Sequence, residues 1–409
     1  MTDPRRTLLK LLENHPGAPF TLVDWTGKST HIGEGPSRFQ VIFKTRQAMS
    51  RSLAQSTLGF GEAYASGDVV IDGDLEEALI SLSWIYVATD RVTLWDRFKL
   101  ALQARSLGTQ KAHIEHHYGR GNDFYRLFLD KRLQYSCGYF RTTDDTLDLA
   151  QEQKIAHTVA KLRLMPGQRL LDIGCGWGHL MFHAAETYGV ECVGLTLCDN
   201  QATYIREEAQ RRKLPVDVRV MNYLQVPSNE SFDRVVSVGM MCHIGQQHIE
   251  QYFDKVQQLV APGGVCLLHF ISKMRESLSV DPFVATHIFP GYWFNSVEGV
   301  TERSVRRGFH VLDLENLRRH YAMTAHHWRT NFLRNYDMIK SAMKFDDVFM
   351  RAWEFYLASV VTGFTTGQMH LIQIVMSQGL CDDYPLTRHF LYQDSEDSLR
   401  APHWAPQAP

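Results

Sequence analysis

The sequence has no long apolar run and no excess of charge of one sign. Its longest uncharged apolar-rich stretch is ALISLSWIYVA, residues 78–88, whereas a membrane-spanning helix needs about 20 apolar residues. The 43 basic and 45 acidic side chains give a formal net charge of −2, which argues against a strongly basic nucleic-acid-binding protein. With 44% apolar and 22% charged residues, the composition also excludes a disordered, collagen-like or coiled-coil chain.

Cysteine is scarce and shows no paired spacing. Seven cysteines are scattered over 409 residues, and an odd number without such spacing is typical of reduced thiols in a cytosol. The first twelve residues, MTDPRRTLLKLL, contain an early acid and no apolar core, so they do not predict a secretory signal. We therefore expect a soluble cytoplasmic protein that binds no nucleic acid.

Periodicity divides the chain into a small and a large part. PFTLVDW and FQVIFKT alternate apolar and polar residues, and LGFGEAYASGDVVIDGDLEEAL is rich in Gly and Asp, a pattern of strands, turns and a closing helix. We predict a small α+β amino-terminal domain over residues 1–88, a charged helical linker over 89–115 and a larger α/β domain over 116–409.

The larger domain contains the pattern of a doubly wound parallel sheet. A helical segment, QEQKIAHTVAKLRL, leads to the buried-strand run RLLDIG, a Gly-rich turn, the helical HLMFHAAETYG and a second strand, VECVGLTL. FDRVVSVG and GGVCLLHF indicate two further buried strands. This order predicts a Rossmann-like sheet. The stretch from 329 to about 379 is predicted to be mostly helical and amphipathic.

The Gly-rich turn after the first of these strands has the residues of a cofactor loop, which are Asp172, Ile173, Gly174, Cys175, Gly176, Trp177 and Gly178. Glycines allow a tight turn and leave backbone amides open to a ligand. The GxGxG spacing is tighter than that of dinucleotide-binding proteins, and no acid closes the second strand where those proteins bind ribose. The turn resembles the S-adenosylmethionine loop of class I methyltransferases, and a dehydrogenase is disfavoured.

Segments over most of the chain have counterparts, in the same order, in one known family. They are HHYGRGNDFYRLFLD, LQYSCGYF, LLDIGCGWG, GLTLCDNQ, FDRVVSVGM, LLHFIS, HIFPGYWFNS and ENLRRHYAMTAHHW. The chain resembles the cyclopropane fatty acid synthase family, which includes the mycolic acid cyclopropane synthases. The resemblance implies an enzyme that transfers the methyl group of S-adenosylmethionine to a cis double bond in an unsaturated phospholipid acyl chain. It also implies peripheral contact with the inner face of the membrane and admits a homodimer.

This chemistry requires a dry site that stabilises a carbocation and removes a proton. An alkene that attacks a sulfonium methyl group becomes a carbocation, which aromatic faces attract, and a base must then take one proton. Tyr118 and Tyr135 are candidate rings for the substrate pocket, and Tyr321 is the aromatic residue that the resemblance favours most.

In the family, a bicarbonate ion serves as the base, held by a cysteine, a glutamate, a histidine and a tyrosine. By resemblance these residues are Cys137, His269 and Tyr321, with Ile271 lining the same pocket, but Cys242 stands where relatives have the glutamate. A neutral thiol is a weaker acceptor than a carboxylate. Three outcomes stay open: a cyclopropane product, a methyl-branched or methylene product, or a catalytically degenerate relative that binds lipid and cofactor.

The implied cofactor contacts extend beyond the Gly-rich turn. Thr196 and Gln201 would lie near the ribose, and Asn222 and Tyr223 near the adenine, where Asn222 replaces an acid of the family. A separate signal, the clustered histidines at 113, 116 and 117, shows no partner pair of the kind that zinc sites need, so no metal is predicted.

Overall fold

The computed structural model describes residues 3–88, 122–273 and 281–392. The predicted linker over 89–115, Tyr118 and the clustered histidines at 113, 116 and 117 lie outside these residues. Among the helices that are described, none is both long and apolar enough to cross a membrane.

The amino-terminal part is a four-stranded sheet packed against helices. Its elements are α1 (Pro4–Leu12), β1 (Phe20–Val23), β2 (Ser29–Ile32), β3 (Phe39–Phe43), α2 (Arg46–Ser66), β4 (Val69–Asp72) and α3 (Leu75–Ala88). The strand order is β2-β1-β3-β4, with β1 and β3 parallel. Alternate side chains of β1 and β3, including Phe20, Leu22 and Val41, are buried in one apolar core, as a sheet with one covered face requires. The predicted small α+β unit is confirmed.

The Gly-rich segment of this part is helical, and the prediction of turns there was wrong. LGFGEAYAS forms the second half of α2. A Cβ atom on Gly61 would lie 2.5 Å from the Phe283 ring and 2.7 Å from the Phe355 ring. Gly61 therefore allows α2 to pack closely on the later part of the chain, which single-sequence turn chemistry does not reveal.

The larger part is an α/β unit built on an eight-stranded sheet. Its strands are β5 (Arg169–Ile173), β6 (Glu191–Thr196), β7 (Val216–Val220), β8 (Phe232–Val238), β9 (Val260–Lys273), β10 (Asn295–Ser296), β11 (Phe309–Asn316) and β12 (Met369–Gln378). Its helices of five or more residues are α4 (Asn122–Arg126), α5 (Leu147–Leu162), α6 (His179–Tyr188), α7 (Asp199–Arg212), α8 (Ile249–Leu259), α9 (Val297–Val305), α10 (Arg318–Arg334), α11 (Tyr336–Met343) and α12 (Asp347–Thr365), and a π-helical turn spans Val284–Ile288.

The strand order places a ligand-binding crevice at β5 and β8. The order is β11-β12-β9-β8-β5-β6-β7, with β10 beside β9. Strands β5 to β9 pair in parallel, whereas β12 is antiparallel to both β9 and β11. The chain winds outward from β5 to β7 and then returns to β8 on the other side of β5. In open α/β sheets, ligands bind at the carboxyl ends of the strands at such a switch point. The predicted doubly wound Rossmann-like sheet is confirmed.

The prediction of a mostly helical stretch from 329 to about 379 was only partly right. Helices α10, α11 and α12 account for it as far as Thr365, but residues 369–378 form β12. This strand lies between β9 and β11 and is buried on both faces over Leu371–Ser377. A strand covered on both faces is a nearly continuous apolar run, which periodicity alone does not separate from a helix.

Candidate active site

A cavity of about 190 Å³ lies at the carboxyl ends of β5, β6 and β8. Most of the predicted cofactor-binding residues line it, together with Tyr135 from the substrate set. These residues are Asp172, Gly174, Cys175, Gly176, Trp177, Thr196, Gln201, Asn222 and Tyr223. Gly178 does not line the cavity; it is the N-cap residue directly before α6. The cavity occupies the switch point of the sheet, where the topology places a ligand.

The three glycines of the loop all adopt positive φ values, but for different reasons. The φ values are +84° at Gly174, +54° at Gly176 and +77° at Gly178. A Cβ atom on Gly174 or Gly178 would lie 2.9 Å from the side chains of Met240 or Ile205, respectively. At Gly176 a Cβ atom would meet no atom within 4 Å, because this residue faces the cavity. Gly174 and Gly178 therefore shape the loop, and Gly176 keeps its backbone accessible to a ligand.

Asp172 and Lys154 are buried ionisable residues that line this cavity. Burial raises the pKa of Asp172 to about 7, and burial lowers the pKa of Lys154 to about 8. Oδ1 of Asp172 is buried and has no hydrogen-bond partner among the described residues. Lys154 donates to Oγ of Ser136 at 2.8 Å and to the side chain of Gln134. Lys154 thereby holds the loop that carries Tyr135.

Sequence reasoning missed Lys154. The available signal was a stripe of polar residues at helical spacing on α5, namely Gln151, Lys154, Thr158 and Lys161, all of which are buried. Polar side chains on the inward face of an amphipathic helix conflict with its burial. Such a conflict is typical of a functional site.

The side chains after β6 and β7 are held in place by local hydrogen bonds. Thr196 donates to Oε1 of Gln201 at 2.7 Å and accepts from the Cys198 amide at 3.1 Å. Oδ1 of Asn222 accepts from the Leu224 amide at 3.0 Å, so this amide side chain caps the short helix Tyr223–Gln225. Replacement of an acid by Asn222 thus preserves the local turn.

Three of the four predicted catalytic residues lie in two apolar clusters that share Ile271. Cys137 and Tyr321 pack with Ile271 in one cluster, and Cys242 packs with Ile271 in the other. The cofactor cavity described above is lined by none of the four predicted catalytic residues, which are Cys137, Cys242, His269 and Tyr321. His269 precedes Ile271 by two residues on β9, so both side chains project from the same face of the sheet.

The backbone of Gly239 connects β9 to Cys242. The Gly239 amide donates to the His269 carbonyl at 2.8 Å, and the Gly239 carbonyl accepts from the Cys242 thiol at 3.2 Å. Gly239 itself lines the cofactor cavity. The structure therefore brings Cys137, Cys242, His269 and Tyr321 around β9, next to the cavity that holds the predicted cofactor residues.

Burial keeps the thiols and the imidazole of this group neutral. It raises the pKa of Cys242 to about 12, raises the pKa of Cys137 above its ordinary range, and lowers the pKa of His269 to about 3. Nε2 of Gln373 lies 3.0 Å from Nδ1 of His269. As that amide donates to Nδ1, the proton of the imidazole lies on Nε2, a buried atom with no hydrogen-bond partner among the described residues.

Aromatic rings surround the clusters. The Tyr321 ring stacks on Phe364 at 4.3 Å and meets Trp328 edge-on at 5.9 Å. The Tyr135 ring lies 5.0 Å from Trp328, and its hydroxyl is 2.7 Å from that of Tyr356. Such rings exclude water and attract a cation through their faces.

A bicarbonate ion would find only part of the partners that the resemblance implies. Nε2–H of His269 suits an anion, but Cys242 presents a protonated thiol where the family has a carboxylate. The thiols of Cys137 and Cys242 already donate to the carbonyls of Gly138 at 3.1 Å and Gly239 at 3.2 Å. The residues therefore do not fit bicarbonate well, and we derive no step from it.

S-adenosylmethionine fits the cavity at the strand ends. Oδ1 of Asp172 is an acceptor without a partner among the described residues, which suits an ammonium group, and the open Gly176 backbone suits a carboxylate. The sheet, the loop and this cavity define a class I methyltransferase fold. The solved structure of coclaurine N-methyltransferase bound to SAH shares this fold, with 20% identity and a TM-score of 0.62 over 80% of this chain and 99% of that one.

Comparisons with known proteins give the family. The sequence model described as mycolic acid cyclopropane synthetase matches residues 105–374, and a model of a domain of unknown function matches residues 7–90. The probable fatty acid methyltransferase of Pseudomonas putida is 32% identical over 92% of this chain and 96% of its own length. The cyclopropane-fatty-acyl-phospholipid synthase of Escherichia coli K12 is 32% identical over 85% and 90%, respectively.

A solved structure agrees with this assignment. Mycolic acid cyclopropane synthase CmaA1, complexed with SAH and CTAB, is 34% identical and has a TM-score of 0.61 over 65% of this chain and 98% of that one. The chain belongs to the mycolic acid cyclopropane synthetase family and is an S-adenosylmethionine-dependent methyltransferase.

Proposed function

We propose that this protein methylates the cis double bond of unsaturated phospholipid acyl chains and yields a cyclopropane or a methyl-branched or methylene acyl chain. The observation that carries the proposal is the aromatic, apolar region around Ile271, directly beside the cofactor cavity. The relatives named above act, by their names, on fatty acids and phospholipids, which supports a lipid substrate.

S-adenosylmethionine, when bound, supplies an electrophilic methyl group. We assign its methionine part to Asp172 and the Gly174–Gly178 loop, its ribose to Thr196 and Gln201, and its adenine to Asn222 and Tyr223. Cys175 and Trp177 are 8% and 6% exposed and pack into two separate apolar clusters, which would hold the loop in place. Rigid backbone donors cost no reorganisation when the ligand arrives.

The acyl chain would lie among the side chains around Ile271. Burial in these clusters removes water that would otherwise capture a carbocation. The faces of Tyr135 and Tyr321 would stabilise the positive charge. Cys137 and His269 would bound this space as neutral groups that add no competing charge.

We also propose domain boundaries and a separate role for each domain. The separate family models for residues 7–90 and 105–374 support a small amino-terminal domain over 1–88, a linker over 89–115 and a catalytic domain over 116–409. We assign the first to docking on the membrane surface, with the enzyme in the cytoplasm and in peripheral contact with the inner face of the membrane. A homodimer would be consistent with this arrangement. Sedimentation equilibrium, which measures the mass of the assembly, tests for the homodimer.

The alternative is a catalytically degenerate relative that binds lipid and S-adenosylmethionine. The protonated thiol of Cys242, where the family has a carboxylate, is the observation that favours it.

A single assay separates the two functions. Radiolabelled methyl-S-adenosylmethionine is incubated with the protein and vesicles of dioleoyl phospholipid, and vesicles of the saturated dipalmitoyl lipid serve as the control. We expect label in the extracted acyl chains of the unsaturated lipid only. Tight cofactor binding by calorimetry without any labelled lipid would support the degenerate relative, and equal labelling of both lipids would contradict action on a double bond.

A further inference from the structure

The side chains of His243 and Tyr292 form a hydrogen-bonded pair beside the cofactor cavity. His243 ends the short helix Met241–His243 after β8 and lines the cavity. The Tyr292 hydroxyl lies 2.9 Å from Nε2 of His243, and the two rings meet edge to face with centroids 4.6 Å apart. This geometry allows the hydroxyl to donate its proton to the imidazole.

Tyr292 also belongs to the region assigned to the acyl chain. It packs with Cys242, Ile271 and Phe294. The Trp293 amide donates to the Cys242 carbonyl at 3.0 Å, which fixes the two segments together. The pair therefore reaches from the cofactor cavity to the cluster around Ile271.

The chemistry requires a proton acceptor in this place. Cys242 replaces the family carboxylate, and its thiol stays protonated because burial raises its pKa to about 12. His269 presents Nε2–H, since Nδ1 accepts from the Gln373 amide. Neither residue accepts a proton readily, whereas a tyrosine hydroxyl backed by an imidazole can.

We propose that Tyr292 and His243 together remove the proton that completes the reaction, an inference that rests on the proposed function. The C–H bond beside the cationic carbon, or in the transferred methyl group, breaks, and its electron pair closes a double bond or a ring. The proton passes to the Tyr292 oxygen as the hydroxyl proton of Tyr292 passes to Nε2 of His243. His243 then releases a proton to water from the cavity side.

Other titratable residues lie around the cavity that His243 lines. Tyr292 contacts His243 from outside the cavity, and the other titratable residues that line the cavity are Arg132, Tyr135, Lys154, Asp172, Cys175, His179 and Tyr223. In the proposed step, the neutral imidazole of His243 accepts the proton.

The first test is Tyr292→Phe, which keeps the ring and removes the hydroxyl. We expect the rate of lipid methylation on dioleoyl vesicles to fall about 100-fold or more, the range for loss of a general base, with an unchanged dissociation constant for S-adenosylmethionine. Tyr384→Phe is the matched control, because that hydroxyl donates to the Lys161 carbonyl at 3.3 Å, outside the assigned site, and its rate should stay within about twofold of the wild type. A Tyr292→Phe rate within about threefold of the wild type would overturn the inference.

A second variant, His243→Gln, separates proton transfer from a structural role. In the wild type we expect the rate at saturating substrate to fall at low pH as His243 becomes protonated, with a slope of one proton. His243→Gln should be slow and should lack this acidic limb. An unchanged limb would overturn the proton-accepting role. Absence of labelled lipid from the wild type itself would instead contradict the proposed function.

Discussion

Burial sets the charge of the residues that matter most in this protein. The thiol of Cys242 and the imidazole of His269 are neutral at pH 7 because water does not reach them. Asp172 differs, because burial raises its pKa to about 7, which lies within the physiological range. The positive charge of Lys154 opposes this effect of burial on the pKa of Asp172. The protonation of Asp172 therefore couples the stability of the free protein to pH.

Replacement of Asp172 by Asn tests this coupling. The pKa of Asp172 is about 7 in the folded protein and about 3.9 in an unfolded chain. The protonated carboxyl group therefore stabilises the fold at low pH, and this stabilisation is lost as the pH rises through 7. Between pH 5 and pH 8, the free energy of unfolding of the wild type should fall by about 2 kcal/mol relative to Asp172→Asn. Denaturant titrations at both pH values measure this difference, and parallel behaviour of the two proteins would contradict it.

Two glycines allow a matched test of the cofactor loop. Gly176 and Gly167 have φ values of +54° and +80°, and a Cβ atom on either meets nothing within 4 Å. An alanine at either position strains the backbone by about 1 kcal/mol, but only Gly176 lines the cavity. We expect Gly176→Ala to weaken S-adenosylmethionine binding at least tenfold by calorimetry, and Gly167→Ala to leave it unchanged. Equal affinities would place the cofactor elsewhere.

The sequence predicts those site residues that are close neighbours in the chain. The loop from Asp172 to Gly178 can be found because strand, acid and glycines follow one another. Lys154 and His243 contact the same cavity from distant elements, and single-residue signals for them are weak. The grouping of Cys137 and Tyr321 came from the family resemblance, because only the sheet brings these residues to Ile271.

At the scale of elements, a buried ion cluster on α10 joins the two parts of the chain. Arg329 contacts Glu354 of α12 at 2.8 Å, Glu76 of α3 at 3.3 Å and Asp74 at 3.4 Å. Its side chain is 9% exposed, and those of Glu76 and Glu354 are 11% and 13% exposed. One cation therefore neutralises carboxylates from both parts of the chain.

Arg329→Met should leave Glu76 and Glu354, which are buried, without this cation. Loss of one partner of a buried ion pair costs about 3–5 kcal/mol, so we expect a decrease of about 3 kcal/mol in the free energy of unfolding. Arg306→Met is the control, because Arg306 and Glu302 are 73% and 57% exposed, and such pairs contribute about 0.5 kcal/mol. Urea unfolding followed by tryptophan fluorescence compares the two. Similar losses would show that the cluster does not hold the parts together.

Elements with local patterns were predicted well, and elements that depend on their neighbours were not. Strands β5, β6, β8 and β9 contain apolar runs between turn signals. The second half of α2 was predicted as turns because it contains glycines. In the structure, Gly61 instead allows close packing against Phe283 and Phe355. Strand β12 was included in a helical stretch because both its faces are buried in apolar clusters, which removes any alternation.

At the scale of the whole molecule, the sheet places two different environments side by side. The carboxyl ends of β5, β6 and β8 form a cavity with Asp172 and Lys154 in its lining, which suits S-adenosylmethionine. The end of β9 and the helices that cover it form a dry aromatic region suited to an acyl chain. In the proposed reaction the methyl group crosses from the first environment to the second, where a cation would be shielded from water.

The most direct test of methyl transfer to a double bond uses S-adenosylmethionine with a fully deuterated methyl group. The protein is incubated with dioleoyl phospholipid vesicles, and the acyl chains are analysed by mass spectrometry. We expect acyl chains that have gained one carbon from the cofactor. Two retained deuteriums indicate a cyclopropane or a methylene group, and three indicate a methyl-branched olefin. Acyl chains of unchanged mass, in the presence of bound cofactor, would contradict methylation of the double bond.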